Sequence, residues 1–165
     1  MYFQKKTYAV EAGELRGKAK TQTILHIEDD QDHARLARRG LAKYHPNVDI
    51  RLIEDGELAI DYLLQTGRFE KVDNPKPDII LLNLRLPKID GLEVLQVIKS
   101  TDSLARIPVV VLTSSEAERD IDRAYELHAD SFLVKPFDFR KFSEMMRDMG
   151  TYWLTWNRGI SQTND

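Results

Sequence analysis

Pro77-Asp78-Ile79-Ile80-Leu81-Leu82-Asn83 is the stretch that decides the fold. Four apolar residues in a row, with no polar alternation, describe a strand buried on both faces, and such strands belong to parallel sheets covered by helices. Ile107-Pro108-Val109-Val110-Val111-Leu112 is a second run of this kind, with its proline near the start, where a missing N–H is tolerated. Working outward, Ile24-Leu25-His26-Ile27 and Ser131-Phe132-Leu133-Val134 are shorter strands, and 48–53 alternates at period two before becoming apolar. Helical spacing fills the intervals: Ala34, Ala37, Leu41, Tyr44; then Leu58, Ile60, Leu63, Leu64; then Leu92, Val94, Leu95, Val97, Ile98. A fourth helix holds Ile121, Ala124, Tyr125 and Leu127, with Thr113-Ser114-Ser115-Glu116 as its cap. A last helix is expected over 138–156. Five strands alternating with five helices predict an α/β fold, a doubly wound parallel sheet with helices on both faces.

The chain has 165 residues, of which 42% are hydrophobic types, enough for one domain with one core. A formal net charge of −3 gives no support to a general nucleic-acid binder. The absence of cysteine excludes disulfide frameworks, thiol nucleophiles and thiolate metal sites. No apolar run approaches the ~20 residues of a membrane span, and the N-terminus lacks the apolar segment of a signal peptide. A soluble cytoplasmic protein with no membrane partner is therefore expected. Residues 1–22 carry five bases against two acids, include two glycines and show no clean period, as a flexible arm does. The expected division is an arm over 1–22, the globular domain over 23–137, an extended helix over 138–157 and a tail over 158–165.

An open sheet of this class places its ligand site at the carboxyl ends of its strands. Those ends deliver Glu28, Asp29 and Asp30 from the first strand and Asn83 from the third. The fourth contributes Thr113 and Ser114, and the fifth Lys135. Adjacent carboxylates suit a hard cation such as Mg²⁺, while a hydroxyl and a lysine suit phosphoryl oxygens. Each part also has an ordinary structural use. Acids after a strand favour a helix N-terminus, Thr-Ser caps helices, and Lys-Pro ends strands. Convergence of four strand ends is what favours a site.

The stretches Ile27-Glu28-Asp29-Asp30, 77–91, 107–114 and Phe132-Leu133-Val134-Lys135-Pro136-Phe137 together resemble the receiver domain of two-component response regulators, across 22–138. Pro87 and Gly91 stand four and eight residues after position 83, a spacing similar to that of the family. The resemblance implies a flavodoxin-like, chemotaxis-regulator-like sheet of strand order 2-1-3-4-5 and a non-enzymatic role in a phosphorelay. It also implies Mg²⁺ held by Glu28, Asp29 and the backbone carbonyl of Arg85, a phosphoryl contact and conformational switch at Thr113, and a phosphoryl contact at Lys135. An aromatic switch at Phe132 and a cis peptide bond between Lys135 and Pro136 follow in the same way. The long loop before the third strand, Tyr125-Glu126-Leu127-His128-Ala129-Asp130 and the Trp-rich end resemble single-domain regulators that partner phytochrome-type histidine kinases.

One position departs from the family. Its phosphoacceptor is an aspartate at the end of the third strand, and this chain has Asn83 there. A carboxylate oxygen is anionic and attacks phosphorus in line, whereas an amide is neutral and a poor nucleophile. Asn83 also removes a negative charge from the metal site, so weaker Mg²⁺ binding is expected, with the amide oxygen a candidate neutral ligand. The expected product is a receiver that is not phosphorylated at the usual place. It is then either a phosphorylation-independent scaffold or a receiver held in its unphosphorylated state.

Over 138–156 the apolar residues Phe139, Phe142, Met145, Met146, Met149, Tyr152, Trp153 and Trp156 recur at steps of three and four. Such a helix is about 28 Å long, while five-residue strands span ~17 Å. The overhang is expected to leave aromatic residues uncovered and to build a symmetric homodimer through Phe142, Met149, Tyr152, Trp153 and Trp156. An Mg²⁺-dependent phosphatase of the haloacid-dehalogenase type is the enzymatic alternative. It requires an Asp-x-Asp nucleophile that neither the first nor the third strand supplies. No Gly-rich nucleotide loop is present, and the four histidines are read as structural.

Overall fold

The computed structural model describes residues 20–158, so the arm assigned to 1–22 and the tail assigned to 158–165 lie almost wholly outside the described residues. Five strands, β1 (Thr23–Ile27), β2 (Asp49–Ile53), β3 (Ile79–Leu82), β4 (Val109–Thr113) and β5 (Ser131–Val134), form one parallel sheet of order β2-β1-β3-β4-β5. They alternate with α1 (Gln31–Tyr44), α2 (Gly56–Leu64), α3 (Gly91–Ser100), α4 (Glu118–Glu126) and α5 (Phe139–Gly150). The expected alternation and strand order are both present.

Successive side chains of a strand point to opposite faces, so the continuous apolar runs supply two cores at once. Leu25, Ile27, Ile80, Leu82, Val109 and Val111 pack with Val94, Leu95 and Ile98 of α3. Ile24, Ile79, Leu81, Val110 and Leu112 pack with Ala37 and Leu41 of α1 and Phe142 and Met146 of α5. Each fully buried aliphatic side chain contributes about 1.5–3 kcal/mol relative to exposure. Asp30, Asp55, Asp90 and Asp138 accept backbone N–H groups and cap α1, α2, α3 and α5. The α4 helix differs from expectation. It begins at Glu118 behind Ala117, whose side chain has no acceptor to cap it, while the Ser115 hydroxyl accepts the Ala117 N–H at 3.3 Å and donates to the Asp120 carboxylate at 2.5 Å. A charged acceptor makes the stronger bond.

The C-terminal helical segment also corrects the sequence reading. It continues past α5 as a π-helical turn over Thr151–Trp156. It does not stand off the sheet, however, and Phe142 and Met149, assigned above to a dimer interface, are only 2% and 6% exposed. Phe142, Met146 and Met149 form the stripe that closes the second core against α1. Gly40 permits this contact: a Cβ there would lie 2.9 Å from the Met146 Cβ, closer than side-chain carbons pack. Trp153 is half-buried against the same core, while Tyr152 and Trp156 remain 56% and 73% exposed.

Candidate functional site

The sheet ladder runs one residue beyond the strands and so fixes the pocket. The Glu28 N–H donates to Ile53 O at 2.9 Å, the Asn83 N–H to Ile27 O at 3.0 Å, and the Lys135 N–H to Thr113 O at 2.8 Å. Glu28, Asn83 and Lys135 thereby hang from the carboxyl ends of β1, β3 and β5 at one edge of the sheet. Gly91 lets α3 start close against them, because a Cβ at that position would sit 2.2 Å from the Asn83 carbonyl oxygen.

Asn83 is buried, and its amide nitrogen is the centre of the pocket. Its two N–H groups are shared among three acceptors, Glu28 Oε1 at 3.1 Å, Asp29 Oδ1 at 3.2 Å and the Arg85 carbonyl at 3.2 Å from Nδ2. The second oxygen of Glu28 accepts from Lys135 Nζ, an ion pair whose side chains are 0% and 3% exposed. Burial pushes the Glu28 carboxyl up from its ordinary pKa, against the hydrogen bond and charge of Lys135, which hold it down. Sequence reasoning thus finds Glu28, Asp29, Asn83, Arg85 and Lys135, and the fold brings them together.

The reading of all four histidines as structural misses His33. Its Nδ1 lies 3.2 Å from Lys135 Nζ and 3.7 Å from Asp30. The available signal was its place in the first turn of α1, directly after the acidic stretch. A second network was also missed. The Thr113 hydroxyl oxygen, buried at the end of β4, accepts the Ser115 N–H at 3.3 Å. The Ser115 hydroxyl donates to buried Asp120, which also accepts from Arg85 Nη2 at 2.6 Å. Position 83, the loop after it and the start of α4 are thus one connected set. Phe132 is half-buried against the core shared with α2 and α3.

The expected cis bond between Lys135 and Pro136 is absent; that bond is trans. An X–Pro bond still favours trans by about 0.5–1 kcal/mol, and Lys135 reaches Glu28 without the other isomer.

His26, on β1 beside this cluster, is fully buried, and its Nε2 has no hydrogen-bond partner. Burial first, then the charges of Lys135 and His33, lower its pKa from 6.5 to about 3. The unfolded chain therefore takes the proton first. The stability that neutral His26 contributes is intact above pH 6.5 and is lost as pH falls toward 3. His26→Leu is expected to flatten the acid side of the stability curve, sparing about 2 kcal/mol at about pH 5 relative to neutral pH. Urea unfolding of both proteins at the two pH values measures this, and an unchanged slope counts against it.

The oxygen set of Glu28, Asp29 and the Arg85 carbonyl is of the type that holds a hard divalent ion. In its observed arrangement it does not fit one. The point on which the three oxygens converge is taken by an N–H donor, and the remaining oxygen of Glu28 is taken by Lys135. Among the described residues no cluster of three or more His, Asp or Glu side chains suited to a metal ion is found.

Residues 24–147 match the family model described as the response regulator receiver domain. The chain is 39% identical to the probable methanogenesis regulatory protein FilR2 of Methanothrix harundinacea over 153 residues, covering 92% of this chain and 96% of that one. It is 38% identical to response regulator Rcp1 of Synechocystis over 133 residues, 81% of this chain and 89% of Rcp1. The Mn²⁺-bound form of response regulator Rcp1 superposes with a TM-score of 0.80 at 36% identity, covering 85% of this chain and 99% of that structure. The phosphorylated cyanobacterial phytochrome response regulator RcpA superposes with a TM-score of 0.81 at 35% identity, covering 86% and 99%. Sheet order and these matches agree: the chain belongs to the response regulator receiver domain family.

Proposed function

We propose that this protein is a response regulator that docks a histidine kinase of the phytochrome type and is not phosphorylated at position 83. The observation that carries the proposal is Asn83 at the end of β3, a neutral amide where the family has its nucleophilic carboxylate. The kinase class is supported by similarity to RcpA, a phytochrome response regulator. Thr113, Phe132 and Lys135 keep the family's switch and phosphoryl-contact positions within the 23–137 unit. The missing charge lowers the affinity of Glu28 and Asp29 for Mg²⁺. The exposed rings of Tyr152 and Trp156, beside half-buried Trp153, support self-association at the end of the helical segment over 138–157.

The test is incubation with a small acyl phosphate and Mg²⁺ followed by intact-mass measurement. No mass increase is expected. One phosphoryl increment that hydroxylamine discharges would mean that the chain is phosphorylated, and would overturn the reading.

A further inference from the structure

We propose that the Asn83 amide is a built-in stand-in for the divalent ion, holding the acid pocket closed and metal-free. The inference deepens the reading above, because it rests on position 83 being the family's acceptor position. Three oxygens from two different segments, the end of β1 and the loop after β3, meet at one nitrogen, at 3.1 to 3.2 Å. Two of them belong to carboxylates and the third is a carbonyl, so nothing among them donates. A donor at the centre is what permits them to sit together. The neighbours also dictate which way the amide faces. With Oδ1 turned inward, four acceptors would confront one another with no proton between them.

Mg²⁺ and Ca²⁺ need oxygen acceptors facing them, whereas the side chain at position 83 presents N–H groups to the oxygen set. Admitting an ion requires the amide to rotate, which breaks all three bonds. Glu28 must also loosen from Lys135, which occupies its other oxygen inside a fully buried pair. The same amide bond holds the Arg85 carbonyl, and the Arg85 side chain pins Asp120 at the start of α4. The amide thereby ties the loop after β3, and through it α4, to the closed pocket.

Charge loss alone and physical occupancy predict different outcomes at one variant. Asn83→Ala removes the donor without adding charge. Uptake of Mn²⁺, followed by the paramagnetic resonance of the free ion, is measured on the unaltered chain, Asn83→Ala and Asn83→Asp. The unaltered chain is expected to bind the weakest, with Asn83→Ala about tenfold tighter and Asn83→Asp about a hundredfold tighter or more. The thermal midpoint of the unaltered chain is expected to be the same in chelator and in millimolar Mg²⁺, whereas both variants gain stability from Mg²⁺. Equal Mn²⁺ affinity in the unaltered chain and Asn83→Ala overturns the stand-in, as does a rise of the unaltered chain's midpoint with Mg²⁺. Phosphoryl uptake is read separately. An unaltered chain that binds Mn²⁺ as tightly as Asn83→Ala yet takes up no phosphoryl group overturns the stand-in alone, and one that is phosphorylated overturns the reading of Asn83 as silent.

Discussion

Asn83→Asp is expected to take the protein from no phosphoryl uptake to one phosphoryl group per chain when it is supplied with a small acyl phosphate and Mg²⁺. The change is a single atom, an amide nitrogen for an oxygen, at a residue whose backbone N–H already holds it at the end of β3 through the Ile27 carbonyl. Lys135 already points into the pocket at Glu28, and the buried Thr113 hydroxyl ends the neighbouring strand. The new carboxylate supplies the anionic oxygen that attacks phosphorus, and it replaces the donor at the centre of the oxygen set by a further acceptor. That acceptor meets two carboxylates within hydrogen-bond range of the old amide. Like charges this close disfavour one another's ionised forms, so the variant is expected to be less stable than the unaltered chain in chelator. Intact mass with and without hydroxylamine reads the phosphoryl group, and thermal unfolding reads the cost. A folded Asn83→Asp protein that takes up nothing would argue against position 83 as the acceptor.

Removing the Lys135 ammonium is expected to have the largest effect on stability. Lys135→Met leaves Glu28 buried with no cation against it, since the pair's side chains are 3% and 0% exposed. Breaking one partner of a buried pair costs about 3–5 kcal/mol, which for a chain of this size lowers the thermal midpoint by about 10–15 °C. The penalty comes from the orphaned carboxylate, not from the lost attraction. Glu28→Gln combined with Lys135→Met is therefore expected to recover most of the loss, because an amide at 28 still offers an oxygen to Asn83. A single-variant loss below about 1 kcal/mol would place Glu28 in the range of exposed pairs, with water reaching it.

The parts of this protein that were legible in sequence are those encoded by local pattern. Ile79 to Leu82 and Val109 to Leu112 are apolar without alternation because helices cover both faces of the strands they form. The same pattern places Glu28, Asn83, Thr113 and Lys135 at one edge, because parallel strands deliver their ends together. Features that depend on a distant neighbour were not legible. Phe142 and Met149 look like any exposed apolar stripe until α1 is laid against them, and Gly40 shows its purpose only when Met146 arrives. Ser115 looks like a helix cap until Asp120 is within reach of its hydroxyl.

The sequence by itself therefore determined the doubly wound sheet, the pocket at its carboxyl edge and the neutral residue at its centre. Periodicity, strand-end chemistry and the identity of one side chain are local properties. Only the tertiary structure decided what that neutral residue does. Whether an amide presents its oxygen or its nitrogen depends on what surrounds it. Here the surroundings are the carboxylates of Glu28 and Asp29, more than fifty residues away in the chain, and the carbonyl of Arg85. Three acceptors at one point call for a donor, and the amide turns its N–H groups inward to meet them.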